Sequence, residues 1–280
     1  MFMGRDFKRA SILAAAIWVV FGLGFAGGAS AEDEDEPRGW TGEVAASFAA
    51  QTGSVDTLAA DLDAKTERKW ENDLLGGRLT GSYGRTRDRN DSPSEDRTTQ
   101  NSQAMFLNHR HSFHSRFLWR SGLELSRDPT QDREVRFFLA TGPGYLFWEG
   151  EDTEKQFFES RIGIGYRYEL FDGNTGPDPA TGLFDLSLNG YDSNFADAIL
   201  SMEYRNLFFD GAMEWTHTAG IAMPMNDTDA YLARTEAIIG IPLNEAWSFR
   251  TAFLFEYNNN APDNQNKALT RTTVGLGYKF

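Results

Sequence analysis

Charged residues recur at every second position in several stretches of this chain. The longest series is Asp61, Asp63, Lys65, Glu67 and Lys69. A spacing of two places such residues on one face of an extended strand. Arg116, Arg120 and Glu124 share such a face, as do Arg161 with Arg167 and Arg250 with Glu256. Arg78, Arg136, Glu159, Glu203, Arg205, Glu214, Arg234, Glu236 and Arg271 occupy equivalent positions elsewhere. Charges of both signs lining one surface can do two things. They can set the ion selectivity of a polar conduit. They can also pair and close the space between them, because an unpaired buried charge is costly.

Histidine offers less. His109 and His111 share a strand face, His114 follows a turn, and His217 stands alone beside Met213 and Trp215 on an apolar face. A metal site needs three or four converging ligands, so these are expected to be rim histidines and no metal site is predicted. A lipid hydrolase centred on His217 is the rival class. A nucleophile needs an adjacent base, yet no serine lies two residues from His217, and Thr216 and Thr218 point the other way. A serine on a neighbouring strand stays open. Asp88, Asn90, Asp91, Glu95 and Asp96 supply oxygen donors of the kind calcium takes, but without the spacing of a calcium loop. A solvated loop is expected there. The sequence therefore predicts no catalytic residue and no cofactor.

These residues need a scaffold that alternates. There is no cysteine, which removes disulfides, thiolate metal sites and a lipoprotein anchor. The net charge of −14 argues against nucleic acid, whose partners cluster Lys and Arg. The aromatic share is high, at 14%. Beyond the N-terminus there is no second long apolar run, so a helical membrane protein is excluded. A barrel is not, since its strands are only half apolar.

The alternation predicts twelve strands, at 40–51, 56–69, 74–88, 101–111, 115–127, 133–147, 156–168, 194–205, 209–222, 229–241, 247–258 and 268–280. Several reach ten or more residues. Strands of soluble domains average about 5–6 residues, whereas a tilted membrane strand needs about 9–11. Short connections alternate with longer polar ones, as in a barrel with both termini on one side, with Thr52–Val55, Asp128–Asp132 and Met223–Thr228 as outer connections of only modest length. Leu183–Gly190 alternates too and is placed in a long loop, because a thirteenth strand would break the even count. Pro143 lies inside a strand and should mark a bulge or bend. The reading is an all-β, antiparallel transmembrane β-barrel of about twelve strands, with fourteen as the alternative. Twelve strands enclose more space than the eight whose side chains just fill a barrel. A narrow polar pore is accordingly preferred over a plugged lumen.

Both ends of the chain fit an outer-membrane address. Arg5, Lys8 and Arg9 precede the apolar run Ile12–Phe25 and the small-residue exit Ala29, Ser30, Ala31, with Glu32 following. This pattern reads as a secretory signal peptide over 1–31. An acidic tail at 32–39 and a barrel at 40–280 come next. At the far end Thr273, Gly275, Tyr278 and Phe280 form an alternating terminal strand ending on an aromatic. This stretch resembles the C-terminal assembly signal of outer-membrane barrels. The expected partners are the secretion machinery, the barrel-assembly machinery, outer-membrane lipids and lipopolysaccharide.

Trp40 and Gly42 open the first strand, and Gly142, Pro143, Gly144 and Tyr145 follow mid-chain. Gly163, Gly165 and Tyr166 come next, and Gly275, Gly277, Tyr278 and Phe280 end the chain. Together they resemble the salt-induced outer-membrane protein family, a domain family of unknown function, over 40–280. The Gly53-Ser54 pair departs from its Gly-Asn, which touches turn geometry and not chemistry. The resemblance implies an outer-membrane barrel linked to osmotic or salt stress, and supplies no catalytic residues.

Overall fold

The computed structural model describes residues 39–51, 55–88, 96–131, 133–152, 155–171, 192–261 and 267–280. The segments read from sequence as a leader and an acidic tail, the acidic stretch around Asp91 and the alternating Leu183–Gly190 segment lie outside these residues. Twelve strands run β1 (Trp40–Gln51), β2 (Val55–Lys69), β3 (Asp73–Asp88), β4 (Asp96–Ser112), β5 (Phe117–Asp128) and β6 (Arg133–Glu149). They continue as β7 (Phe157–Phe171), β8 (Asp192–Phe208), β9 (Met213–Pro224), β10 (Leu232–Pro242), β11 (Trp247–Asn258) and β12 (Ala268–Lys279). Each strand pairs antiparallel with its neighbours in sequence, and β1 with β12 closes the ring. Pairing of Leu170 with Asp192 joins β7 directly to β8, so the ring closes on twelve strands and not fourteen.

Period-two sequence becomes two unlike surfaces. On β7, Ile162, Ile164 and Tyr166 are 63%, 62% and 46% exposed, while Arg167 and Glu169, next along the opposite face, are fully buried. A soluble domain would do the opposite. The same inversion puts Trp119, Leu125, Leu139, Leu200, Phe253, Val274 and Leu276 on the outside. Polar side chains on that outer face are satisfied locally. The indole of Trp119 donates to the Thr141 hydroxyl at 2.8 Å, which also bonds Ser121 at 2.9 Å.

Aromatic rings gather near both rims. At the end where β1 starts and β12 stops, contacts run from Phe117 through Tyr145 and Phe147 to Phe158, and on to Tyr204 and Trp148. Trp247 and Tyr278 add an edge-on pair at 5.1 Å. At the opposite end Phe137 meets Tyr166 and Tyr231 stacks on Tyr257. The twelve strands hold 11 to 17 residues against the roughly 9–11 that cross a bilayer, so the longer ones project beyond such a band.

Some predicted boundaries move. Phe209, Asp210 and Gly211 all have positive φ, at 55°, 54° and 85° respectively. That left-handed backbone cannot extend a strand. The β8–β9 turn is therefore 209–212, later than the sequence placed it, and β9 starts at Met213. No bulge forms at Pro143. The β6–β7 register is the same on either side of it, from Thr141 opposite Ile164 to Gly144 opposite Arg161. The proline instead costs ladder bonds. Gly142 and Gly163 let the two backbones approach closer there than a Cβ would permit. Register shifts fall elsewhere in β6, at Arg133/Val135 and Leu146/Trp148.

The ring closes through a small residue under a large one. Gly42 and Phe280 exchange two backbone hydrogen bonds of 3.0 Å. The Phe280 ring occupies the space a side chain at 42 would take. An aromatic lying over a strand glycine shields the backbone that the glycine leaves bare.

Candidate functional site

The inward faces converge on a lumen crossed by ion pairs at two depths. Away from the chain termini, Arg136 of β6 bonds Glu169 of β7 and Glu256 of β11, both at 2.7 Å. Arg133 reaches the same Glu256 oxygen at 3.0 Å. In the ring β6 and β11 stand five strands apart, so this contact spans the interior. Arg167 holds Asp197 with both Nε and a terminal nitrogen (3.1 and 3.3 Å), donates to the Ala230 carbonyl, and stacks over Phe195. Asn258 and Asn260 complete the shell around Glu169. Arg136, Arg167, Glu169 and Asp197 have no solvent exposure at all. A buried pair persists only when most of each partner's hydrogen-bonding capacity is met; here Arg133 Nε and one terminal nitrogen of Arg136 are left over.

Toward the termini the arginines are less deeply buried and the pairs enclose space. Arg120 bonds Glu159 and Glu203 at 2.7 Å each. Glu203 also takes Arg205 at 2.8 Å, and Arg205 reaches Glu67 on β2 at 3.3 Å. A second chain runs from Lys65 through Glu43, Arg250 and Asp63 to Arg78, which ends on Glu236 of β10 at 2.6 Å. Arg234 approaches Glu124 at 3.6 Å across the lumen and lies over Phe106. All of these residues except Asp63 wall a cavity of about 380 Å³.

Of the lumen positions named from sequence, Arg120, Glu124, Arg161, Arg167, Arg250 and Glu256 are on the inner face. Arg116 is not. Strand β5 begins at Phe117, so Arg116 falls in the β4–β5 turn, fully exposed, with its guanidinium at the outward Tyr145 hydroxyl. Sequence reading missed Glu43, Arg110, Arg133, Glu169 and Asp197. Glu169 lay past the predicted end of β7. Asp197 sits between inward Phe195 and Ile199, which disguise it as part of an apolar face.

The histidines group differently from a metal site. His109 Nε2 and His111 Nδ1 both lie against one Asp73 oxygen, at 2.8 and 2.9 Å, on the outer face near the terminal rim. His114 bonds Ser115 in the adjacent turn. No cluster able to hold a metal ion occurs among the described residues. His217 Nε2 bonds the Thr235 hydroxyl at 2.9 Å, also on the outer face.

Residues 44–280 match the family described as Protein of unknown function, DUF481. The chain belongs to that family. No curated protein matches it. Among solved structures, this DUF481 chain is similar to an outer membrane channel from Pseudomonas putida (11% identity, TM-score 0.46, covering 89% of this chain and 99% of the other). It is also similar to the translocator domain of the autotransporter NalP from Neisseria meningitidis (12%, 0.43, 98% and 97%). A third is the NanC porin (12%, 0.41, 86% and 98%). At these identities the likeness concerns the course of the chain and not its chemistry.

Proposed function

We propose that this DUF481 chain is an integral outer-membrane barrel whose lumen is a constricted, charge-lined passage for small ions, and that it is not an enzyme. The observation that carries the reading is the combination of an apolar outer band with an interior where paired charges from opposite strands meet around a cavity. An apolar exterior of this extent needs lipid. Aromatic rings at both rims suit the two interfaces. The terminal strand with Thr273, Gly275, Tyr278 and Phe280 supports recognition by a barrel-assembly machinery, and the leader supports export. The loops opposite the termini would then face lipopolysaccharide outside the cell. The salt-induced character of the family it resembles fits a role in ionic or osmotic adjustment.

Against catalysis stands His217, whose ring nitrogen is engaged by Thr235 with no serine beside it. The test of the passage is single-channel recording of refolded protein in a planar bilayer under a salt gradient. Small discrete steps are expected, far below those of an open porin. A second reading, a sealed structural barrel, is favoured by the water-excluded cluster around Arg136 and Arg167. Inserted, heat-modifiable protein that never conducts would establish it in place of the first.

A further inference from the structure

We propose that Arg161 is an anion-binding site within the lumen, taking a small oxyanion such as a carboxylate or sulfate. Arg161 is an exception among its neighbours. Six other cationic side chains line the same cavity: Lys65, Arg78, Arg120, Arg205, Arg234 and Arg250. Each lies within ion-pair distance of a carboxylate. Arg161, among the described residues, has none. Its one polar contact is from Nε to the hydroxyl of Ser201, its register partner on β8, at 3.2 Å. Both terminal nitrogens of the fork are left without a partner among those residues.

The nearest carboxylates are already committed. Glu159 bonds Arg120 through Oε1 and its Oε2 lies 3.6 Å from Arg110, while Glu203 bonds both Arg120 and Arg205. Neither is free to turn toward Arg161 without breaking a 2.7 Å bond to Arg120. Three glycines stand in the wall around the fork. Gly144 is the β6 residue opposite Arg161, Gly163 follows it on the inner face, and Gly220 stands opposite Ser201. None of the three brings a polar side chain to the fork, and Leu118 takes the space a Cβ at Gly144 would fill. A half-buried guanidinium without a counter-charge is unfavourable. Its planar fork matches two oxygens of a carboxylate or sulfate, with the Ser201 hydroxyl beside it. The inference rests on the passage reading only for access of the anion from solvent, because binding itself does not require conduction.

The experiment uses the refolded full barrel, its fold checked by heat-modifiable mobility, with sulfate and acetate as probes in equilibrium dialysis at low ionic strength. Wild type should bind one anion per chain. Arg161→Gln should lose that binding. Arg161→Lys, which keeps the charge and loses the fork, should weaken it about tenfold or more, the loss of one charge-assisted hydrogen bond. Lys155→Gln, in an exposed turn, should leave it unchanged. Absent binding in a folded wild type, or equal binding in Arg161→Gln, overturns the site. If Arg161→Gln does not fold, the lysine variant decides alone, and undiminished binding there overturns the fork. A barrel that binds sulfate and conducts nothing overturns the passage and keeps the site. A barrel that conducts without anion preference or binding does the reverse.

Discussion

Arg205 on β8 and Glu67 on β2 stand six strands apart around a ring of twelve, yet their side chains meet at 3.3 Å. They are diametrically opposed, and their contact crosses the lumen. Glu67→Gln should remove this tie while Arg205 keeps Glu203. The Arg205 side chain is 25% exposed and that of Glu67 31%. The stability loss should therefore be no more than about 1 kcal/mol. Single-channel conductance should rise. An unchanged current would place the constriction elsewhere.

Glu256 is a different case. It holds Arg136 and Arg133 together in a dry environment. Glu256→Gln takes from Arg133 its ion-pair partner and leaves Arg136 with Glu169, and the cost should be about 3 kcal/mol. Denaturant unfolding of the refolded barrel measures it. A shift no larger than that of Glu67→Gln would mean that water reaches the cluster.

At the ring closure, Gly42→Val should clash with Phe280 and cost about 1–3 kcal/mol, as overpacking does. Combining it with Phe280→Ala should recover part of that loss. Strict additivity of the two changes, read from unfolding curves, would show that the residues do not interact.

His217→Ala should cost only the bond to Thr235, about 0.5–1.5 kcal/mol, and change no chemistry. Neither wild type nor variant should release fatty acid from phospholipid vesicles. Hydrolysis by wild type that disappears in the variant would replace the passage with an enzyme.

Arg116 and Arg161 are equivalent in the sequence pattern and are not equivalent in the fold. Arg116→Gln should leave the reversal potential under a salt gradient unchanged. The same substitution at Arg161 should shift it toward cations. Equal shifts in both would mean that the turn, not the lumen, sets selectivity.

The strands were legible because lipid-facing and lumen-facing residues alternate with a period of two, and Ile162, Ile164 and Tyr166 against Arg161 and Arg167 leave no other choice. The even count came from the general rule for such barrels, because Leu183–Gly190 alternates as the strands do. What could not be read was which charge meets which. Arg136 finds Glu256 from 120 positions away, a contact set by strand tilt and stagger that no local pattern records. The end of a strand was equally opaque. Phe209 and Asp210 look like strand residues and adopt a left-handed backbone, and the later start of β5 moves Arg116 from wall to turn.

Most folded domains resist deformation because their interiors are packed solid. This barrel has no such filling at the level of Arg205 and Glu67, and its cross-section is instead braced as spokes brace a rim. A braced tube keeps its roundness against the sideways pressure of a bilayer only while the braces hold. Electrostatic braces weaken as dissolved ions screen them. The stiffness of the wall, and with it the bore, is thereby tied to the composition of the fluid inside.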